Sequence, residues 1–166
     1  MSEVWFNDQD IVKIDGDLIE KLKAQAEHHP RKRARFCLHK NTQAEVHEMV
    51  IAVMKEAYVR PHKHKYKTES FHVIRGSLWL CIFNDKGDIV EKFRMSERGG
   101  DGYFLYRLEK NYWHTIIPIT DFVAFHEVTK GPFNNTDDSI FPDWAPKEGE
   151  QAKIDGYVKG LLARIS

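Results

Sequence analysis

The chain has 166 residues, of which 42% are hydrophobic, and its 25 Lys and Arg residues balance its 25 Asp and Glu residues. This length suits one compact core, so we expect a single domain over residues 1–166. A net charge of zero gives no general attraction to nucleic acid or to an anionic membrane, and we expect neither as a partner. The basic run 31–33, with Arg35, is predicted to be a solvated strand edge or loop.

Cysteine usage and hydropathy bear on the compartment. Cys37 and Cys81 lie in apolar stretches without a paired CxxC motif, which indicates neither a zinc ribbon nor a disulfide scaffold. We expect both to be small buried residues in a reducing compartment. The first residues lack an apolar run of signal-peptide length, and no stretch approaches the roughly 18 apolar residues of a membrane helix. We therefore expect a cytoplasmic protein.

Helical patterns occur near both ends of the chain. Asp17 is followed by Glu20, a pair that can cap a helix start reciprocally. Apolar side chains then recur at helical spacing until Pro30, which predicts a helix over about residues 17–29. The same periodicity returns near the end and predicts a second helix over about residues 153–165.

Between the helices the pattern changes to short apolar segments separated by turn residues. These segments are rich in Val, Ile, Phe, Tyr and Trp, as strands are. Several short strands at regular spacing indicate a β-sandwich or barrel rather than βαβ units, so we expect a barrel core over about residues 33–130. The predicted strands are 34–38, 49–54, 70–74, 78–83, 89–95, 103–108, 114–118 and 122–128.

The most informative stretch contains His62, His64, Glu69 and Gly76. Residues two apart on a strand point to the same face, so both imidazoles can enter one barrel. Glu69 can begin the next strand and return its carboxylate to the same point, and Gly76 marks the following turn. Two imidazoles and one carboxylate suit iron, nickel, manganese or zinc.

This spacing resembles the first cupin motif, and the second motif is expected downstream. The segment that ends in His114 occupies that place, with Glu109 and Asn111 where Pro and Gly are usual. Asn tolerates a left-handed backbone, so the tight turn remains possible. The resemblance implies a mainly β fold, the cupin double-stranded β-helix (jelly-roll barrel), with His114 as a fourth ligand. One divalent transition metal ion per chain (Fe, Zn, Ni or Mn) would be the cofactor.

The other histidines lack this spacing. Simple alternation from Glu69 turns His72 away from the site. His126 and Glu127 are neighbours in a late strand, and either could face the cavity. The histidines predicted to lie at the surface are His28, His29, His39 and His47.

Further blocks carry a more specific resemblance. They are residues 33–39, 58–64 followed by Lys67 and Glu69, 73–76, 113–115, 125–127, 130–133 and 144–149. Across most of the chain these blocks resemble the WbuC family of cupin-fold metalloproteins, often associated with O-antigen and other surface-polysaccharide gene clusters. Cys37 stands where that family usually has Asn. The resemblance implies His62, His64, Glu69 and His114 as metal ligands and, by analogy with cupins in general, a homodimer.

The first functional hypothesis is a small-molecule metalloenzyme, such as an isomerase or epimerase, acting on a sugar or nucleotide-sugar intermediate. A metal with an open position could polarise a substrate oxygen. Arg60, Lys67 and Glu127 are candidates for anion binding or proton transfer, although Arg60 and Lys67 could also be solvated charges. The aromatic residues expected around the mouth, for a sugar face or for strand packing, are Tyr66, Tyr106, Tyr112 and Trp113.

Two alternatives stay open at this point. Two histidines and a glutamate with iron(II) would suit a dioxygenase, because open positions can hold oxygen and substrate. A metal-dependent sensor or binding protein without catalysis is equally compatible with the fold, since one barrel hosts many functions.

Overall fold

The computed structural model describes residues 3–134 and 138–165, which form nine strands and two helices. Most strands begin or end within two residues of the predicted bounds. The short first strand was not predicted, because three residues carry too little periodicity to be recognised. The elements are β1 (Val4–Phe6), α1 (Gly16–His28), β2 (Arg33–Cys37), β3 (Val46–Met54), β4 (Glu69–Arg75), β5 (Ser77–Phe83), β6 (Ile89–Ser96), β7 (Leu105–Leu108), β8 (Trp113–Pro118), β9 (Phe122–Lys130) and α2 (Gln151–Ile165).

The strands form two sheets that face each other. The larger has the order β1-β2-β3-β9-β4-β7 and the smaller has the order β6-β5-β8, with every pair antiparallel except β1 and β2. Buried side chains from both sheets, such as Val73 and Phe125 of the larger and Leu80 and Ile116 of the smaller, meet in one apolar cluster. The predicted mainly β barrel with a helix near each end of the chain is confirmed.

The chain passes from the larger to the smaller sheet at Gly76. Its φ of 82° lies in the left-handed region, and a Cβ atom there would lie 2.4 Å from the carbonyl oxygen of Phe122. Only glycine fits both conditions without strain. The turn predicted at Gly76 therefore aligns β4, which carries Glu69, with the sheet opposite.

Helix α1 begins earlier than its predicted cap. Asp15 is the N-cap residue, and its Oδ1 accepts a hydrogen bond from the backbone N–H of Leu18 at 3.0 Å. Asp17 instead lies in the first turn, where its charge favours the positive end of the helix dipole. Glu20 forms an ion pair with Arg75 rather than reaching back to the cap. The predicted capping box was therefore wrong, although the helix is present.

The two helices cover opposite outer faces of the barrel. Ile19, Leu22 and Ala26 of α1 pack against the larger sheet, whereas Leu161 and Ile165 of α2 pack against the smaller one. The helices close the outer faces of both sheets. The site therefore lies in the cavity that remains between the two inner faces. None of the described helices is long and apolar enough to cross a membrane.

Candidate metal centre

The site lies in a cavity of about 210 Å³ between the sheets, and His62, His64, Glu69 and His114 line it. Glu69 is the first residue of β4, and His114 is the second of β8; their exposed fractions are only 3% and 2%. His62 and His64 lie half-buried in the segment before β4. The backbones of His62 and His114 pair, with N–O distances of 3.0 and 2.9 Å. This bridge brings the two predicted motifs together.

The turn before His114 explains how the second motif works without its usual glycine. Asn111 has a φ of 71°, in the left-handed region that was predicted for it. Its backbone N–H donates to the carbonyl of His64 at 2.8 Å. Asn111 therefore both makes the turn and attaches it to the first motif.

The donor atoms of the four side chains converge. His64 Nε2 lies 3.2 Å from Glu69 Oε2, and His114 Nε2 lies 3.1 Å from Glu69 Oε1. The ring of His62 lies 4.4 Å from that of His114, measured between centroids. One ligand nitrogen from each histidine lies within 4.8 Å of those of the other two. The three imidazoles thus face a common point, and the Glu69 carboxylate contacts two of them.

Backbone carbonyls orient all three rings. The Nδ1 atoms of His62 and His114 lie 3.0 Å from the carbonyl of Arg60 and 2.9 Å from that of Tyr112, and His64 Nδ1 contacts the carbonyl of Asp138. Because a carbonyl can only accept, each Nδ1 must carry the proton. When the ring is neutral, its Nε2 presents a lone pair to the centre, which is the arrangement that metal-binding histidines have.

The charges of the site favour the metal-binding forms of His62 and Glu69, but not that of His64. Desolvation, followed by the neighbouring His114 and His64, lowers the pKa of His62 to about 3. Burial favours the neutral acid of Glu69, but His114 and His64 outweigh it and hold the pKa of Glu69 well below its usual range. Desolvation also opposes charge on His64, yet its contact with Glu69 raises its pKa overall. A proton on His64 is therefore the main competitor of a metal ion.

One buried atom tests whether a metal fits these residues. His114 Nε2 is inaccessible to solvent and, despite its closeness to Glu69, forms no hydrogen bond with any part of the chain that the structure describes. A buried polar atom without a partner is costly, and a metal ion would satisfy this lone pair. The nitrogen and oxygen donors suit iron, zinc, nickel or manganese.

Tyr106 has a role that was not predicted from the sequence. It was expected among the aromatic residues of the mouth, but its hydroxyl donates to Glu69 Oε1 at 2.5 Å inside the barrel. Burial and then the Glu69 charge raise the pKa of Tyr106 well above its usual value. The neutral hydroxyl therefore orients the carboxylate. Alternation with the exposed Leu105 in β7 indicates that Tyr106 faces inward. The sequence does not show, however, that Tyr106 pairs with Phe71 and so lies close to Glu69.

The register of β9 decides between His126 and Glu127. Glu127 is paired with Phe71 and Met49 and lines the cavity, whereas His126 turns outward, 3.6 Å from Glu48. Burial and then the charge of Glu69 raise the pKa of Glu127 to about 7, although Arg35, His64 and His114 oppose this. Glu127 is therefore a second carboxyl group in the cavity with a perturbed pKa. His72 is exposed, as alternation predicts.

Arg60 and Lys67 both line the cavity and are not solvated charges. Arg60 donates to the carbonyl of Pro142 at 2.8 Å, and its guanidinium lies 4.9 Å from the centre of the Phe141 ring. Lys67 is 11% exposed and lies 2.5 Å from Asp138. Both cations hold the segment after β9 across the cavity, a contact between distant parts of the chain that no local pattern indicates.

The aromatic residues expected at the mouth lie elsewhere. Tyr66 and Tyr112 are exposed by 59% and 51% and are not part of the cavity wall. Trp113 faces away from the barrel interior, because it alternates with His114, and packs against Trp144. The aromatic side chains that line the cavity are instead Phe71, Phe125, Phe133 and Phe141.

Two surface predictions were wrong. His47 is only 5% exposed, and its ring stacks on that of His39 with centroids 4.1 Å apart. The basic run is solvated only in part: Arg31 keeps 42% of its side chain exposed, whereas Arg33 and Arg35 are half-buried and line the cavity. Both errors have one physical cause: β2 and β3 belong to the larger sheet, and its inner face is enclosed by segments remote in sequence.

Comparison with known proteins supports the fold. Residues 14–95 match the model of a domain of unknown function, DUF6016. No curated protein matches in sequence. The capsular polysaccharide assembling protein CapF from Staphylococcus aureus is similar in structure, with a TM-score of 0.51 and 19% identity over 66% of this chain and 31% of CapF.

Two further solved structures are similar at lower scores. The Cnp3 cupin domain of Schizosaccharomyces pombe has a TM-score of 0.48 and 15% identity over 60% of this chain and 64% of its own. The oxalate decarboxylase of Lactobacillus farciminis has a TM-score of 0.45 and 16% identity over 58% of this chain and 26% of its own. The chain thus spans less than two thirds of each of these three proteins. The fold is the predicted jelly-roll barrel, and the barrel contains three histidines whose ligand atoms lie close enough together to hold a metal ion.

Proposed function

We propose that this cupin binds one divalent transition metal ion through His62, His64, Glu69 and His114. The observation that carries the proposal is the common orientation of the three histidines. Backbone carbonyls hold every Nδ1 proton outward, and the Nε2 atoms of His64 and His114 lie within 3.2 Å of the Glu69 carboxylate. A purely structural cluster has no need for this convergence.

We further propose that the protein is a small-molecule enzyme of the WbuC type, acting on a sugar or nucleotide-sugar intermediate of surface-polysaccharide synthesis. The sequence blocks that resemble the WbuC family support this assignment. About a third of CapF, whose name describes capsular polysaccharide assembly, is similar in fold, which is compatible with the assignment. An isomerase or epimerase is the reaction class that fits, since it needs proton transfer and no second substrate.

The size of the cavity narrows the substrate. Its volume of about 210 Å³ is below the roughly 300–1,000 Å³ that encloses drug-sized ligands. A monosaccharide derivative fits this space better than a complete nucleotide-sugar does. If the substrate is a nucleotide-sugar, its nucleotide would lie outside the barrel.

The roles of the chain's own groups follow from their positions. The metal, when bound, would act as a Lewis acid on a substrate oxygen. Glu127 lies in the same cavity with its pKa raised to about 7, so near neutral pH it can both accept and donate a proton. Arg60 and Lys67 hold the segment that covers the cavity and thereby limit the access of water.

We also propose a cytoplasmic homodimer of single-domain chains. The two free, buried thiols of Cys37 and Cys81 support a reducing compartment. The dimer follows from the cupin resemblance alone. Light scattering during size-exclusion chromatography would give its mass, and a mass equal to that of one chain would contradict it.

The test begins with protein purified without chelators. Elemental analysis is expected to find about one transition metal ion per chain. The metal-loaded protein is then incubated with sugars, sugar acids, sugar phosphates and nucleotide-sugars, and the products are followed by NMR. Conversion that stops in the Glu127→Gln variant supports the enzyme assignment. Oxygen uptake with iron(II) would favour the dioxygenase, and binding without turnover would favour a sensor.

A further inference from the structure

Three arginines line one part of the same cavity. Arg33 and Arg35 alternate along β2, and they are paired with Val53 and Ile51 of β3, which also line the cavity. Ala34, between them, packs on the opposite side against α1. The two guanidinium groups therefore enter the barrel on the inner face of the larger sheet. Arg31 joins them from the segment before β2.

The nearby carboxylates only partly neutralise these arginines. Glu3 accepts from Arg31 at 3.0 Å and from Arg33 at 2.7 Å, and Glu148 lies 2.5 Å from Arg31 and 3.5 Å from Arg33. The described residues give Arg35 a single carboxylate contact, to Glu3 at 3.5 Å. Three cations face two anions, and each guanidinium has five N–H donors. Arg35 thus has most of its hydrogen-bonding capacity to spare.

Glu127 connects this arginine cluster (Arg31, Arg33 and Arg35) with the metal centre. Both Arg35 and Glu69 act on its pKa, Arg35 lowering it and Glu69 raising it. Glu127 lies on β9, between β3 on the side of Arg35 and β4 on the side of Glu69. One cavity therefore has a cationic end, a central carboxyl group and a metal-binding end.

We propose that Arg33 and Arg35 bind the carboxylate or phosphate of an organic anion whose other oxygen atoms reach the metal centre. Arg33 and Arg35 keep 15% and 32% of their side chains exposed, so an anion that enters the cavity can replace water at their free N–H groups. The arginine fork matches both carboxylate and phosphate. The substrate is thus a small acidic compound, such as a sugar acid or a sugar phosphate. This inference rests on the proposed function only in placing a metal ion at the other end of the cavity.

The test compares three ligands that differ in charge. Isothermal titration of the metal-loaded protein with glucuronate, glucose 6-phosphate and glucose is expected to give at least about tenfold tighter binding for one of the two anions than for glucose. The better anion identifies the group as carboxylate or phosphate. Equal affinity for all three compounds would overturn the proposal.

Two substitutions with opposite expected effects on the affinity for the anion test the arginine cluster. Arg35→Gln is expected to remove most of the preference for the anion, by about tenfold, whereas the control Arg107→Gln, on an exposed arginine paired with Glu109, leaves it unchanged. Glu148→Gln frees donors on Arg31 and Arg33 and is expected to raise the affinity for the anion and not for glucose. Equal effects of Arg35→Gln and Arg107→Gln, or weaker anion binding in Glu148→Gln, would contradict the site.

Metal content, measured in the same samples, separates the two proposals. Arg35→Gln is expected to keep its metal, because no ligand changes. If the wild-type protein contains no metal but still prefers the anion through Arg35, the anion site stands and the metal-dependent function fails. If metal is present and the preference for the anion is absent, the metal-dependent function stands and the anion site fails.

Discussion

Two groups of neighbouring histidines lie in this barrel, and they are built differently. His39 and His47 stack with ring centroids 4.1 Å apart and planes only 5° apart, whereas His62 and His114 lie 4.4 Å apart with planes inclined by 54°. Stacked rings place their nitrogen atoms side by side, but inclined rings can direct them at one point. His39 Nδ1 also lies 3.1 Å from the backbone N–H of Glu48.

The inner group has two features that proximity does not supply. A buried carboxylate, Glu69, faces the nitrogens of His64 and His114. The rings of His62 and His114 are also inclined, so that their nitrogens are not placed side by side. Within the described residues, only His62, His64 and His114 bring three ligand atoms within 4.8 Å of one another. Ring orientation, not distance, therefore distinguishes the candidate metal centre from the packed pair.

The largest effect is expected from the removal of a ligand. His62→Ala and His114→Ala should each reduce metal occupancy to near zero, because the remaining donors no longer enclose the ion. The fold should largely persist, since both side chains belong to a polar site rather than to the apolar core. Elemental analysis and circular dichroism measure the two properties.

His39→Ala is the matched control for these variants. It removes a half-buried histidine from the stacked pair and is expected to keep full metal occupancy. Equal losses of metal in His39→Ala and His62→Ala would erase the distinction between the two groups.

The next effect concerns a residue that orients a ligand. Tyr106→Phe removes the hydroxyl that donates to Glu69 and leaves the ring packing on Phe71. Loss of such a partner typically lowers metal affinity by about 10- to 100-fold. Competition with a fluorescent chelator measures the affinity, and Tyr103→Phe, at an exposed position, should leave it unchanged. An unaltered affinity in Tyr106→Phe would show that the hydroxyl does not orient Glu69.

The affinity for metal should also depend on pH. His64 has a raised pKa and must lose its proton to bind, whereas the pKa of His62 is about 3 and that of Glu69 is well below its usual range. The proton on His64 therefore competes with the metal, and affinity should fall by at least about tenfold per pH unit below the pKa of His64. Titrations between pH 5 and 8 measure this slope. A flat profile would contradict the assignment of His64 as a ligand.

The smallest effect is on stability. In metal-free protein the pKa of Glu127 is about 7, above the ordinary value of 4.5, so the folded state retains a proton that the unfolded state has lost. Stability should then decrease as pH rises from about 4.5 through 7. Glu127→Gln cannot ionise, so its stability relative to wild type should increase between pH 5 and 8. Urea unfolding at both pH values measures the difference, and a constant difference would show that Glu127 titrates normally.

The sequence predicted those parts of the site that depend on local spacing. His62, His64 and Glu69 lie within eight residues, so strand alternation and one short turn suffice to bring them together. His114 required the second motif, and the left-handed Asn111 shows why a sequence without the usual glycine can still make its turn. The barrel itself followed from short apolar segments and turn residues.

The remaining features depend on contacts between distant segments. Arg35 enters the cavity because β2 pairs with β3 in one register, and Glu3, the residue before β1, reaches it there. His47 is buried because the chain returns close to it at Gly131, where a Cβ atom would lie 2.7 Å from the His47 ring. Neither the pairing of β2 with β3 nor the return of the chain at Gly131 leaves a periodic pattern in the sequence. Arg35 and His47 were therefore predicted at the surface.

Anomalous X-ray diffraction from crystals of the metal-loaded protein shows directly whether these four side chains bind the ion. We expect one peak per chain, with Nε2 of His62, His64 and His114 and an oxygen of Glu69 at about 2.0–2.2 Å, as for zinc. A peak at another position, contact through Nδ1, or no peak with metal in excess would contradict this expectation.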